Sequence, residues 1–291
     1  MKVLLYSFLG PKMVSGLVGL TAQCSWEKLT DLSRLLSWFL FRFWSHRRAV
    51  AVHNIRFALG LSERESLEFA RRAFHHTVLT ALEFIKMGQD PQGALERVSV
   101  SGLAESQRVL QEGRGLIIVT GHLGNFELMG AALAHYLPLW VIARPQSPLV
   151  WHLVRGIREK VGMRVIEKFG SLRTALSVLR RGQVLGILSD QHAGTDPGST
   201  TVTFFGRKAS VYTTPALLAA RAQAGLVFGF SHRIKGGRHQ VHLRPPLWVR
   251  PSQVEEVTRL FCQELEKEIL KAPEQWWWLH DRWKGERMGL I

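Results

Sequence analysis

Cysteine is nearly absent from this chain of 291 residues: Cys24 and Cys262 are the only two. Two thiols exclude a disulfide framework and a structural zinc site built from four thiolates. A reducing cytoplasmic setting is the simpler expectation. Long apolar runs are missing as well. A spanning helix needs about 20 consecutive apolar residues. The longest uncharged stretch of the N-terminal region is Met13 to Trp26, fourteen residues, several of them polar or Gly. Val3 to Trp26 holds one charge, Lys12, and a helix-weakening Gly10-Pro11. Acidic residues are few, 23 against 38 Lys and Arg, which leaves a formal charge of +15. No Gly-x-Ser-x-Gly elbow occurs, no Gly-x-Gly-x-x-Gly or Gly-x-x-x-x-Gly-Lys-Ser/Thr, and no His-Glu-x-x-His. The sequence therefore lacks the usual signatures of a serine-hydrolase elbow, of nucleotide-phosphate loops and of a zinc protease helix. No repeat or low-complexity stretch is visible.

What is present suits a folded chain: 46% hydrophobic and 21% charged residues. The length allows one large α/β domain or two ordinary ones, with a core that needs no metal or disulfide. A charge of +15 attracts polyanions: nucleic acid, an anionic membrane surface, an acidic carrier protein or a phosphorylated substrate. Ten Trp and 15 Phe among the cations tilt the choice towards the membrane–water boundary, although stacked bases also use aromatics. A second apolar block, Leu35 to Phe41, has Trp38 and Trp44 beside it and ends in Arg42, His46, Arg47 and Arg48. Residues 1–60 are expected to form membrane-associated helices that lie in or dip into the interface, with the basic cluster facing an anionic cytoplasmic leaflet. A signal peptide fits badly, because the residues before Cys24 do not make a cleavage site. For Leu35 to Phe43 the competing reading is an amphipathic helix packed on the domain.

Beyond residue 60 strands and helices alternate. Ser62-x-x-Glu65 is a capping-box start for a helix to about Phe84. Arg97–Val100 is a strand and Ala104–Gln111 a helix. Leu116–Thr120, apolar and β-branched, has the pattern of a buried parallel strand. The turn Gly121–Gly124 leads into a helix over Asn125–Tyr136. Strand Leu139–Ala143, helix Leu149–Val161, a strand starting at Val165, helix Ser171–Arg181 and strand Val184–Ser189 follow. A Gly/Thr-rich loop is expected over Ala193–Thr201, then helix Pro215–Ala224, strands Leu226–Ser231 and His239–Leu243, and helix Pro251–Lys271. This order predicts an α/β domain over residues 61–291, with a mostly parallel central sheet flanked by helices. In such sheets the chemistry sits beyond the carboxyl ends of the strands.

The turn after Leu116–Thr120 is therefore the first place to look. It reads Thr120-Gly-His-Leu-Gly-Asn-Phe-Glu127, with His122 in the turn and Glu127 in the first helical turn, where the dipole favours an acid. The five-residue spacing does not place both on one helix face. A histidine still in the turn can fold back over the helix start, where a carboxylate can orient its ring. That is the base–orienter half of a catalytic triad without a nucleophile of the protein's own, and it suits a substrate that supplies the hydroxyl. With 12 histidines and 23 acids, chance supplies about one such pair, so only the context raises this one above a structural histidine. Asp190 and His192 lie near another strand end, without a recognisable metal-ligand spacing towards His122.

Gly121-His-Leu-Gly-Asn-Phe-Glu127 resembles the His-x4-Asp/Glu motif of glycerolipid and lysophospholipid acyltransferases. Further blocks narrow the resemblance to the lipid A late (lauroyl and myristoyl) acyltransferases: Arg144-Pro, Arg155-Gly-Ile-Arg158-Glu-Lys-Val-Gly162, Leu188-Ser-Asp190-Gln191 and Phe204-Phe205-Gly206-Arg207. The early Arg47-Arg48-x4-His53-Asn54-Ile55-Arg56 and the late Trp276-Trp277-Trp278-Leu-His280-Asp-Arg282-Trp283-Lys284 match in style. The similarity covers roughly residues 30–285. Phosphatidylinositol mannoside acyltransferases share the pattern, so family is better specified than substrate.

The resemblance implies an O-acyltransferase without a cofactor or metal. It would move a fatty acyl chain from an acyl carrier protein thioester, or from acyl-CoA, to a hydroxyl of a membrane glycolipid such as a lipid A precursor. It would work at the cytoplasmic face of the inner membrane, on an anionic surface and with no nucleic acid partner. His122 would be the general base, held by Glu127. Arg158 best matches the family's second-block arginine, with Arg155 and Arg144 as further clamps on a phosphate or oxyanion. Asp190 matches a strand-end acid that orients His122 or Arg158. Gly124 and Asn125 would donate to the tetrahedral intermediate, and Phe205 and Arg207 would touch substrate. Each has a plainer alternative: Arg158 as a solvated face residue, Asp190 as a turn cap, Phe204-Phe205 as core. The three consecutive tryptophans, read as part of a helix, should leave at least one ring at the membrane. Two rival readings remain, a non-catalytic basic membrane- or nucleic-acid-binding protein and a hydrolase on the same base; the same family acting on a phosphatidylinositol mannoside or a lysophospholipid is the nearer alternative.

Overall fold

Ser62 and Glu65 close a capping box: Ser62 Oγ accepts the Glu65 N–H at 3.3 Å and the Glu65 carboxylate accepts the Ser62 N–H at 2.9 Å. The helix it starts is the longest of the computed structural model, which describes residues 11–145, 147–168 and 170–284. Four helices open that region: α1 (Pro11–Gln23), α2 (Lys28–Phe43), α3 (Ser45–Leu59) and α4 (Glu63–Gln89). α4 is buried on nearly every side from His76 to Met87, as a helix apolar all round must be. It packs against α2 and α3 on one side. On the other it meets the helices that cover the sheet.

The remaining elements are α5 (Pro91–Leu95), β1 (Val98–Ser101), α6 (Leu103–Gln111), β2 (Leu116–Thr120), α7 (Phe126–Tyr136), β3 (Leu139–Ala143), α8 (Pro148–Lys160), β4 (Arg164–Glu167), α9 (Ser171–Arg180) and β5 (Val184–Leu188). Then come β6 (Ser199–Phe204), β7 (Arg207–Tyr212), α10 (Thr214–Ala222), β8 (Gly225–Ile234), β9 (Arg238–Leu243), β10 (Leu247–Trp248) and α11 (Val254–Lys271). The sheet order is β1-β9-β8-β2-β5-β3-β4, with β10 on β8. β2 is central and pairs in parallel with β5 (Leu116 with Val184, Thr120 with Leu188) and with the first half of β8. The second half of β8 turns antiparallel to β9. The fold is mixed α/β, with a mostly parallel central sheet flanked by helices. All five residues of β2 are buried, which is why its sequence reads as an unbroken apolar run.

Two expectations change, at the loop and at the tryptophan run. The loop expected over Ala193–Thr201 gives way at Ser199 to β6, which forms a separate two-stranded hairpin with β7. The N-terminal stretch Val3–Gly10 lies outside the described residues; among those described, no helix is long and apolar enough to cross a membrane. α2 has two faces. Leu29, Ser33, Ser37 and Phe41 are buried, whereas Leu35, Trp38, Phe39 and Phe43 are exposed. Finally, Trp276, Trp277, Trp278 and Trp283 are all buried, so none of these rings is at a membrane surface. They follow a short 3-10 turn rather than standing on a long helix, and they pack with Phe204 and Phe205 of the hairpin. α3 holds this segment in place, with Asn54 Nδ2 donating to the carbonyls of Trp278 (2.9 Å) and His280 (2.6 Å).

Candidate active site

β2 ends at Thr120 between β5 and β8, so the turn Gly121–Asn125 emerges at the carboxyl edge of the central strands. The backbone is pressed close there. A Cβ on Gly124 would stand 2.1 Å from the Ser231 carbonyl oxygen, and this residue also has φ +59°, so only glycine fits. A Cβ on Gly121 would meet Leu265 at 2.9 Å.

The His122 N–H donates to Asp190 Oδ2 at 2.8 Å, and its ring Nδ1 pairs with Asp190 Oδ1 at 2.6 Å. An ionised carboxylate only accepts, so Nδ1 carries the proton and Nε2 keeps its lone pair. Trp276 Nε1 donates to Asp190 Oδ2 at 2.9 Å. Burial pushes the Asp190 carboxyl up, but His122 and the Trp276 donor outweigh it and hold the group well below the usual carboxylate range. The C-terminal segment grips the turn a second way: the Trp277 N–H donates to the His122 carbonyl at 3.1 Å, and the Gly124 N–H to the Gln275 carbonyl at 3.0 Å.

The expected pairing of His122 with Glu127 is not the one formed. Asp190, delivered from the end of β5, occupies the ring nitrogen. Glu127 faces α8 instead, where Arg158 Nε donates to Oε2 at 3.0 Å and Nη2 to Oε1 at 2.6 Å. This two-pronged pair is nearly buried, with the side chains 3% and 12% exposed. Glu127 and Arg158 supply charged groups to the wall of a narrow pocket, otherwise lined by residues such as Ile118, Phe126, Leu133 and Met163. His122 is not itself in that wall. Its side chain is 11% exposed and its ring packs edge-on against Phe126, which does line the pocket, at 4.8 Å. Gln191 Nε2 stands 3.4 Å from His122 Nε2.

The structure thus brings His122, Asp190, Glu127 and Arg158 to one place. Gly124 and Asn125 are there too. The Gly124 N–H is taken by Gln275. Asn125 Oδ1 accepts the N–H groups of Glu127 (3.1 Å) and Leu128 (3.0 Å), capping α7, and Nδ2 donates to Glu83 at 2.7 Å. Arg144 is exposed at the end of β3. Arg155 is exposed and pairs with Glu159 at 2.7 Å along its own helix. Phe205 sits at φ +52° among Trp276 and Trp278, and Arg207 lies over the Phe57 ring at 4.3 Å. None of these four lines the pocket. His192 meets His280, its N–H donating to Nε2 at 3.1 Å, and among the described residues no cluster suits a metal ion. Sequence reasoning passed over Glu83, Arg233 and Gln275. The available signal was a carboxylate inside the apolar stretch Leu82-Glu83-Phe84-Ile85, which marks a buried and therefore partnered charge.

Residues 9–285 match the family model described as bacterial lipid A biosynthesis acyltransferase. The lipid A biosynthesis lauroyltransferase of Escherichia coli (strain K12) is 24% identical over 281 residues, which cover 94% of this chain and 91% of that protein. The lipid A biosynthesis palmitoleoyltransferase of the same organism is 25% identical over 194 residues, 65% of this chain; the match spans 62% of the relative's length.

Proposed function

The chain belongs to the bacterial lipid A biosynthesis acyltransferase family, and from that premise we propose that it transfers a fatty acyl group from a thioester to a hydroxyl of a lipid A precursor. The observation that carries this reading is the His122–Asp190 pair beside an apolar pocket whose charged wall is Glu127–Arg158. The acceptor hydroxyl displaces the Gln191 amide from His122 Nε2 and gives up its proton there as its oxygen attacks the acyl carbonyl. Asp190, rather than Glu127, fixes the ring tautomer and stabilises the imidazolium. The carbon–oxygen bond forms, the carbon–sulfur bond breaks, and the imidazolium returns its proton to the leaving thiolate. Arg158, held rigid by Glu127, places a fixed positive charge at the pocket for the developing oxyanion or for an anionic group of the substrate. The apolar pocket accepts the acyl chain.

The donor in this reading is an acyl carrier protein thioester, whose acidity the net charge of +15 complements. The exposed Leu35, Trp38, Phe39 and Phe43 of α2, with Arg34 and Arg42 among them, support placement on an anionic membrane surface at the cytoplasmic face of the inner membrane. The test is transfer by purified His122→Ala with an acyl thioester and a lipid A precursor. Activity is expected to fall by about 10²–10⁴-fold. Full transfer by a folded variant overturns the mechanism, and acyl release to water at the transfer rate without acceptor would indicate a hydrolase.

A further inference from the structure

Glu83 lies deep in α4, yet it ends at the catalytic turn. Arg233 of β8 donates through Nη1 to Glu83 Oε1 and through Nη2 to Oε2, the latter at 2.7 Å. His239 Nε2 is 3.5 Å from Oε2. Burial pushes the Glu83 carboxyl up, but Arg233 and His239 pull it further down, well below the usual carboxylate range. A buried ion pair of this kind adds little net stability over an apolar pair of the same volume. Its geometry shows what it does besides. The remaining donor on Glu83 Oε2 is Asn125 Nδ2, at 2.7 Å, and Asn125 Oδ1 in turn holds the N–H groups of Glu127 and Leu128. The Glu127 carboxylate then fixes the Arg158 guanidinium. A second path leaves Arg233 through its backbone. Its N–H donates to Gln275 Oε1 at 2.7 Å, Gln275 Nε2 donates back to the Arg233 carbonyl at 3.0 Å, and the Gln275 carbonyl receives the Gly124 N–H.

We infer that Glu83 and Arg233 form a positioning pair for acyl transfer: the charge couple sets the orientation of Asn125, and through it the start of α7, so that Glu127 presents Arg158 to the reacting centre. Neither residue touches substrate. The inference rests on the proposed function, because it assigns the pair to the chemical step of that reaction.

The experiment uses the full chain and compares steady-state transfer by Glu83→Leu/Arg233→Leu, Asn125→Ser and His122→Ala. The double variant removes both charges together, so no buried charge is stranded, and Asn125 loses its acceptor. Asn125→Ser keeps a side-chain oxygen for the helix cap but is too short to reach Glu83. In both, kcat is expected to fall about tenfold or more, while KM for the acyl donor stays within about twofold, as for an interaction realised in the transition state. A folded double variant with kcat within about twofold of the parent overturns the inference and leaves the pair a purely structural role. If the double variant does not fold, Asn125→Ser decides by the same criterion. His122→Ala separates the two levels: if it abolishes transfer while the other variants keep kcat, only the positioning role falls. If it keeps transfer, the proposed reaction falls instead.

Discussion

At the scale of single residues, the site turns on which carboxylate meets the imidazole. Asp190 accepts from the His122 ring, the His122 N–H and Trp276 Nε1, three donors on two oxygens. Asp190→Asn puts an amide in their midst. If its oxygen stays on the ring, its NH₂ faces the backbone N–H and the indole, and if it flips, the ring loses its acceptor. Transfer is expected to fall by about 10³–10⁴-fold, the scale seen when the acid of a catalytic triad is made an amide. Steady-state kinetics on the folded variant checks this; a loss below tenfold would return the orienting role to another group. His122 was legible in the sequence because a buried-strand end, two glycines and a helix start converge on it. Its partner was legible only through the resemblance, which left Asp190 to orient either His122 or Arg158. Asp190 arrives from a different strand, and chain spacing gives no view of what lies across a sheet, whereas Glu127 was close in sequence and misleading for that reason. Arg158 was legible only by resemblance, since on an amphipathic helix it looks like any solvated cation.

Among the elements, α2 shows best what pattern can and cannot say. Its apolar residues exceed what one buried stripe needs: one face packs on α4 and the other leaves three large aromatics and a leucine among arginines. Replacing Trp38 and Phe43 with Ser is expected to weaken binding to anionic vesicles at least several-fold, each ring having contributed roughly 1.5–3 kcal/mol of burial in the interface. The melting temperature should stay near the parent's, because both side chains are already in water. Cosedimentation with vesicles measures it, and unchanged binding would move the membrane contact elsewhere. The strand–helix alternation from β2 to β5 was readable from apolar runs and turn residues. The β6–β7 hairpin was missed because Ser-Thr-Thr-Val-Thr-Phe follows Gly198 and resembles a polar loop, although its inward positions, Val202 and Phe204, are buried. The tryptophan run was misjudged for a related reason: the sequence gives no hint that α3 reaches across the chain to pin it.

For the molecule as a whole, burial of neutral histidines links stability to acidity. His76 and His280 are pushed down to about 3, first by burial and then, for His76, by the nearby Arg233. The unfolded chain takes up protons on these rings below about 6.5, whereas the native chain refuses them until near 3. Their contribution is therefore complete above about pH 6.5 and is lost progressively as pH falls towards 3. Asp190 and Glu83, held below the carboxylate range, begin to lose theirs only under about pH 5. Calorimetry from about pH 7.5 to about 5, above the range in which carboxylates titrate, should show a falling melting temperature, with a shallower slope in His76→Gln. A flat profile in the parent would contradict the buried neutral state of both rings. The overall fold class was legible because it depends on periodicities repeated over many residues; the assembled site was not, because its parts meet only in three dimensions.

Gln275, Trp276 and Trp277 brace the His122 turn and its acid from the far end of the polypeptide. A ribosome therefore releases His122 long before it releases the residues that immobilise it. Half-made molecules tethered during translation would carry an unbraced imidazole, and the proposed acyl transfer would begin only after this late segment has emerged and docked.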